Sequence, residues 1–292
     1  MKRVKEKNTT NVVVIAQARP FLKWVGGKAK LVPELEKFYP KTFNEFYEPF
    51  VGGGAMFFSI NPAKSYINDM NEVLMNAYKH VRDDVDALIK ELTLLHDYYW
   101  ELPDNVAKKE LFLEKRTLFN SLDNGSFEKT VLLIFLNKTC FNGLYRENSK
   151  GEFNVPFNNS ERPPICDAIN LRNVSNSLQN AKITHLSYEK AIKSAKKDDF
   201  VYLDPPYDPL NQTSRFTSYH ASGFDRKDQE KLRDVFQELA NKGCNVMLSN
   251  SNTPFINELY KAFKIHKISA ARNINSIGTK RGKVTEIVVT NY

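Results

Sequence analysis

The sequence predicts an α/β fold: a Rossmann-like, mostly parallel sheet with an antiparallel C-terminal hairpin, interrupted by a mainly helical insertion carrying a β-hairpin. Three observations predict it. Short apolar strands alternate with helical segments at both ends of the chain. The middle, residues 71–138, has helical apolar spacing, as in Leu88, Leu92 and Leu95, and no strand signal. The apolar run Phe200-Val201-Tyr202-Leu203 is stopped by Asp204-Pro205-Pro206-Tyr207, whose prolines cannot donate ladder hydrogen bonds. A carboxylate, two fixed carbonyls and a ring are thus held at the carboxyl end of a strand, where open α/β sheets bind ligands.

Length and composition bound the answer. A chain of 292 residues with 41% hydrophobic content, 20 Phe and 13 Tyr supports one large domain with an insertion and excludes disorder as the default. No apolar run is long enough for a membrane span, and residues 12–16 are too short for a signal-peptide core, so a soluble, cytoplasmic protein is expected. Cys140, Cys166 and Cys244, like the five His, are scattered without metal-ligand or disulfide spacing, and no metal is expected. The formal charge of +8 favours a polyanionic partner. Residues 1–30 carry eight basic residues against one acid, Glu6, and residues 270–283 carry Arg272, Lys280, Arg281 and Lys283 with no acid. A solubilising tail and a solvated loop are the plain alternatives.

Taken in order, residues 1–19 read as an extension. Trp24-Val25-Gly26-Gly27-Lys28 is not a Walker motif, because Leu22 stands where the first Gly belongs and Ala29 where Ser or Thr belongs. Its Gly pair still suggests a backbone that something approaches closely. Residues 44–47 read as a strand entering Glu48-Pro49-Phe50-Val51-Gly52-Gly53-Gly54, residues 55–60 as a helix, and residues 65–69 as a strand ending in an acid. Strand, Gly-rich turn, helix, strand, acid is the plan of a mononucleotide-binding half. Asp69 lies 17 residues after Gly52, near the spacing of a ribose-binding acid, although Phe57 occupies the third Gly position of that fingerprint.

Helices are expected over 73–95 and 106–122. Residues 139–163 alternate aromatics about a turn at Asn148-Ser149-Lys150-Gly151, which predicts a hairpin. Asn142, Asn154 and Arg146 there are side chains that contact adenine and guanine edges, and aromatics wedge or stack; an ordinary Asn-rich loop is the alternative. Strands are expected at 182–186, 200–203 and 245–248, helices at 188–195, 225–242 and 254–262, and a closing antiparallel pair at 263–269 and 284–290. The polar stretch 208–223 is long for a structureless connection, which suggests function.

Together Trp24–Lys28, Glu48–Ala55, Asn68-Asp69, Asp204–Tyr207, Cys140–Arg146 with Phe153–Phe157, and Arg281-Gly282-Lys283 through Tyr292 resemble the DNA adenine-N6 methyltransferase (Dam) family. The resemblance spans almost everything from Pro20 onward. It implies a catalytic domain binding S-adenosylmethionine over 20–75 and 180–292, a target-recognition domain over 76–179, and an N-terminal extension over 1–19. It also implies transfer of a methyl group to the adenine amino nitrogen of double-stranded DNA, within GATC by analogy.

By that resemblance Trp24, Lys28, Phe50, Gly52, Gly54, Asp69 and Asp204 line the cofactor site, with Asp69 on the ribose hydroxyls and Trp24 or Phe50 facing the adenine or the sulfonium. Asp204, Pro205, Pro206 and Tyr207 form the catalytic set. Asp204 and the Pro205 carbonyl accept from the amino group, and Tyr207 stacks on a base flipped out of the duplex. Phe141 fills the gap left behind. Asn142, Leu144, Arg146 and Asn154 read the sequence, with Arg146 on a guanine, while Arg272, Lys280 and Arg281 contact phosphates. The alternatives are a cytosine-N4 or RNA amino-methyltransferase, and a DNA-binding relative that has lost catalysis. A functional pairing with a restriction endonuclease is also open.

Overall fold

The computed structural model describes residues 17–209, 224–271 and 283–292. Helix α1 (Val32–Leu35) leads to β1 (Phe46–Glu48), α2 (Ala55–Ile60) and β2 (Ser65–Asn68). Helices α3 (Glu72–Asp83), α4 (Val85–Glu101), α5 (Asn105–Ser121), α6 (Phe127–Thr139) and α7 (Ala168–Leu178) follow. The chain then returns to the sheet through β3 (Ala181–Thr184), α8 (Tyr188–Ala191), β4 (Phe200–Leu203), α9 (Arg226–Asn241), β5 (Asn245–Ser251), α10 (Pro254–Leu259), β6 (Lys264–Ala271) and β7 (Lys283–Thr290).

The seven strands lie in the order β3-β2-β1-β4-β5-β7-β6. The first five are parallel, while β7 runs antiparallel between β5 and β6. The expected closing hairpin is therefore present, but its second strand, not its first, joins the parallel sheet. Strand order reverses between β1 and β4, so the crevice above their carboxyl ends is the topological switch point where such sheets bind ligands.

Period-two alternation sends successive side chains to opposite faces. Phe46, Phe200, Tyr202, Met247 and Val288 join a core with the helical segment, including Leu74, Leu88, Phe112, Phe135 and Leu171. Tyr47, Val201, Leu203, Val246, Leu248, Ile287 and Val289 pack against Leu232, Phe236 and Leu239 of α9 and Ile256 of α10. With both faces covered, β4 is buried along its whole length, which explains its unbroken apolar run.

Three elements differ from expectation. The helix over 73–95 is two helices meeting at Asp84, whose N–H closes α3 onto the His80 carbonyl and whose own carbonyl accepts from Leu88 N. The helix expected at 188–195 is the short α8. The hairpin expected over residues 139–163 is held by two isolated bridges, Cys140–Phe157 and Glu147–Phe153. Its turn is an Asn148 cap, with Oδ1 accepting from Lys150 N and Glu152 N. Among the described residues, no helix is long and apolar enough to cross a membrane.

Candidate active site

Three adjacent strands end in acids: Glu48 closes β1, Asp69 follows β2 and Asp204 follows β4. Glu48 is 2% exposed, and its Oε2 has no hydrogen-bond donor among the described residues. Burial first, then the neighbouring Asp204 charge, pushes its pKa well above the ordinary carboxylate range. Asp204 Oδ1 lies 2.8 Å from Lys28 Nζ. The same ammonium, ion-paired with that oxygen, also donates to the Gly26 carbonyl at 2.8 Å. Burial raises Asp204 to about 6, with Lys28 opposing the shift.

The Gly26-Gly27 turn therefore serves to fold Lys28 back over the sheet. The same ammonium stands 4.6 Å from the Tyr207 ring centroid. Tyr207 OH donates to Glu286 Oε2 of β7 at 3.0 Å. Lys28 and Glu286 thus hold the ring that follows the two prolines from its face and from its hydroxyl end.

The glycine turn after β1 is shaped by its neighbours. Gly54 has φ +75°, and a Cβ there would lie 2.6 Å from Tyr78 Oη and 2.9 Å from Phe58 Cε2. Gly52 has φ +47°, and a Cβ there would meet Trp24 Cδ1 at 3.0 Å. Both positions need glycine twice over, for conformation and for space. Tyr78 OH donates to the Gly52 carbonyl at 3.0 Å, while Asp69 accepts from Gly52 N at 3.1 Å and Asn71 N at 2.9 Å. Asp69 therefore braces the turn as well as bordering it, and burial raises its pKa. Buried Asn68 ties the strand ends together, donating to the Pro49 and Leu186 carbonyls and accepting from Leu186 N.

Aromatic rings flank this edge. Phe50 stacks on Tyr188 with centroids 5.3 Å apart, and Phe224 meets Phe50 edge-on at 6.2 Å. Trp24 stacks on Tyr145 at 5.1 Å and 22°, so it reaches the hairpin segment from the glycine turn. Asn137 of α6 reinforces that junction by accepting from Lys23 N and donating to the Lys23 and Gly143 carbonyls, each at 2.9 Å.

The hairpin residues form a second group. Phe141 is 49% exposed. Asn142 is exposed with φ +57° in a 3-10 turn, and Leu144 is half-buried. Exposed Arg146 donates from Nε to Asn154 Oδ1 at 2.7 Å and from Nη2 to the Asn154 carbonyl at 3.3 Å. The expected site residues thus fall into two clusters joined by the Trp24–Tyr145 stack. Arg272, Lys280, Arg281, most of the N-terminal extension and the polar stretch from residue 210 to 223 lie outside the described residues.

Sequence reasoning assigned no role to Glu48, Tyr78, Glu286, Gln229 or Asn250. Glu48 carried a usable signal, since it ends a strand in the same way as Asp69 and Asp204. The others come from distant elements, and no local pattern marks them. Chemically, the edge offers a buried Glu48 oxygen without a donor among the described residues, an Asp204 carboxylate ion-paired with one ammonium, and a tight glycine turn. That donor set suits a cationic ligand whose backbone-sized part rests on the turn. No group of three His, Cys, Asp or Glu residues capable of holding a metal occurs among the described residues.

Comparison with known proteins gives this edge its context. Residues 24–274 match the model of the D12 class N6 adenine-specific DNA methyltransferases. The chain is 44% identical over 292 residues to the type II methyltransferase M1.LlaDCHI of Lactococcus lactis subsp. cremoris, covering 98% of each chain. It is 44% identical to the type II methyltransferase M.MjaIII of Methanocaldococcus jannaschii, covering 94% of this chain and 100% of that one. It is 35% identical to the DNA adenine methylase of Vibrio cholerae, covering 92% and 95%. A family match over residues 24–274, together with relatives aligned nearly end to end, identifies the chain as a member of the D12 class of N6 adenine-specific DNA methyltransferases.

Proposed function

We propose that the protein transfers a methyl group from S-adenosylmethionine to the N6 amino group of an adenine flipped out of duplex DNA, within GATC. The observation that carries this reading is Asp204, a partly buried acceptor held by Lys28 at the switch point beside the Gly52–Gly54 turn. Bound S-adenosylmethionine would supply an electrophilic methyl on a cationic sulfonium. Asp69 and the glycine turn would hold that group, and Trp24, Lys28 and Phe50 border it.

Adenine's amino lone pair is delocalised into the ring, so the enzyme must favour a tetrahedral nitrogen. Asp204 and the Pro205 carbonyl do this by accepting hydrogen bonds from the two amino hydrogens, an arrangement that gains strength as positive charge builds on nitrogen, and one of those protons leaves after the methyl has transferred. Tyr207 presents a ring face for the base, at a cost of a few kcal/mol for unstacking it. Neither a covalent intermediate nor a general base with a perturbed histidine is required.

The segment 76–179 acts as the target-recognition unit, with Arg146 reading guanine edges, Phe141 filling the space of the displaced base, and Arg272, Lys280 and Arg281 on phosphates. Two relatives carry the type II name, which supports a restriction–modification role with a cognate endonuclease. Methylome sequencing of DNA from expressing cells tests modified base and context together. N6-methyladenine at GATC is expected, and modification of cytosine or of another sequence would overturn the corresponding part. Asp204→Ala is expected to abolish methylation while DNA binding persists.

A further inference from the structure

The strand ladder ends at Leu203, and the two prolines that follow bring no N–H groups, so side chains must hold the Asp204–Tyr207 loop. One does so from α9. Gln229 Nε2 donates to the Pro206 carbonyl at 2.7 Å, and Gln229 Oε1 accepts from Asn250 Nδ2 at 3.0 Å. Asn250 Oδ1 accepts from Ser251 N at 2.8 Å and Asp208 N at 3.3 Å. Gln229 is 2% exposed and Asn250 is fully buried. Ser251 Oγ donates to the Asp208 carbonyl at 2.7 Å. The Asp208 carboxylate takes Thr253 Oγ1 at 2.8 Å and Arg226 Nε at 3.0 Å.

The polarity of this relay is dictated by the backbone. Asn250 Oδ1 must accept because both of its partners are N–H groups, so its NH₂ must face Gln229. Gln229 must then turn its carbonyl to Asn250 and its NH₂ to Pro206. An amide is the side chain that meets both demands, since a carboxylate at 229 would set an oxygen against the Pro206 carbonyl. The relay grips the backbone on both sides of Tyr207, at Pro206 and at Asp208.

We infer that Gln229 and Asn250 are positioning residues for methyl transfer. They commit the Pro206 carbonyl to the interior and thereby fix Asp204, the Pro205 carbonyl and Tyr207 relative to the amino group. The inference rests on the proposed acceptor role of Asp204. Both side chains spend their hydrogen bonds on each other and on backbone, so the relay is expected to act on kcat and to leave ligand affinity alone.

The test is Gln229→Glu, nearly isosteric but of reversed polarity at Pro206, with Gln229→Met as a shape-preserving second variant. Both are assayed for single-turnover methylation of a duplex oligonucleotide, DNA and S-adenosylmethionine affinity, and thermal unfolding. A loss in the methyl-transfer rate on the order of 10²-fold, with affinities unchanged within about twofold, is expected from misplacing the loop by a fraction of an ångström to 1 Å. Combining Gln229→Glu with Asn250→Ala is expected to add little to the single variants, because the two side chains act as one unit. Should either variant not fold, the other carries the measurement. If both fold poorly, Gln229→Asn decides, because it keeps the amide and shortens its reach; a wild-type rate in it overturns the inference. Wild-type rates in folded Gln229→Met, which can neither donate to Pro206 nor accept well from Asn250, or losses confined to affinity, also overturn it. Asp204→Ala run in parallel separates the two readings. Methylation surviving that change defeats the acceptor role, whereas a dead Asp204→Ala beside a fully active Gln229→Met defeats only the relay.

Discussion

Lys28 Nζ stands 2.8 Å from Asp204 Oδ1 and 4.6 Å from the centroid of the Tyr207 ring. One ammonium therefore touches both non-proline side chains of the Asp204–Tyr207 loop, so changing Lys28 alters both environments at once. A lysine from the first glycine pair of the chain is in this way made part of a loop about 180 residues later.

The electrostatic consequence concerns pH. Burial raises Asp204 from the ordinary carboxylate range to about 6, while Lys28 pulls it down. Between those limits the folded protein binds a proton that the unfolded chain has released, so this group's contribution to stability falls as pH rises toward 6. Activity runs the other way, because only the carboxylate accepts from both the amino group and its developing charge. The rate is expected to rise with pH and level off above about 6. Removing the opposing charge in Lys28→Met should move the acid limb upward by about one unit or more. A pH–rate profile of kcat/KM on both proteins checks this, and an unshifted midpoint would show that Lys28 does not govern Asp204.

Tyr207 is anchored by its hydroxyl to Glu286, which is 8% exposed. The sequence alone gives the Tyr207 ring a stacking role and its hydroxyl none. Tyr207→Phe is now expected to have its own cost, since it strands a buried carboxylate oxygen at roughly 1.5–3 kcal/mol of stability. Chemical denaturation measures that loss, and it should largely vanish in a Glu286→Gln background, where no buried charge is left stranded. Tyr207→Ala should in addition lose the stacking surface and fall much further in activity.

The glycine turn gives a steric prediction. At Gly54 a methyl would overlap Tyr78 Oη and the Phe58 ring in a backbone conformation that side chains rarely adopt. Gly54→Ala should destabilise the protein by about 1–3 kcal/mol and weaken cofactor affinity by displacing the Gly52 carbonyl that Tyr78 holds. Tyr78→Phe in the same chain relieves the closest overlap and should recover part of the stability. Thermal unfolding of the single and double variants checks the pairing.

What was legible in the sequence follows from where the information sits. Phe200–Leu203 and its prolines announced both a buried strand and its abrupt end, and the acid after β2 fell at the spacing that a strand–turn–helix–strand unit imposes. Those are local patterns. The carboxamide of Gln229 looked like one more polar residue of an amphipathic helix, because its partner Pro206 is distant in sequence and the helix period says nothing about hydrogen bonds made at its buried edge. Glu286 was hidden in the same way, a charge inside a strand that only its pairing beside β5 brings to Tyr207. The break at Asp84 was hidden because the apolar period continues through it.

Arg146 and Asn154 face each other across the hairpin, and the expected base-reading pair is bonded to itself. Arginine has five N–H donors. Two are engaged by Asn154, one from Nε and one from Nη2. Three remain on the outer end of the guanidinium, enough for bidentate contact with guanine O6 and N7. If Arg146 reads guanine as proposed, Asn154 orients the fork toward the groove and lowers the entropy lost on docking. Replacing a target guanine by 7-deazaguanine removes N7 and should cost the wild-type enzyme about 1–3 kcal/mol in discrimination. Arg146→Ala should be insensitive to that replacement, whereas Asn154→Ala should keep the sensitivity but bind both duplexes more weakly. Competition methylation assays with the two oligonucleotides measure all three. An Arg146→Ala enzyme that still distinguishes the two duplexes would move guanine recognition to another side chain.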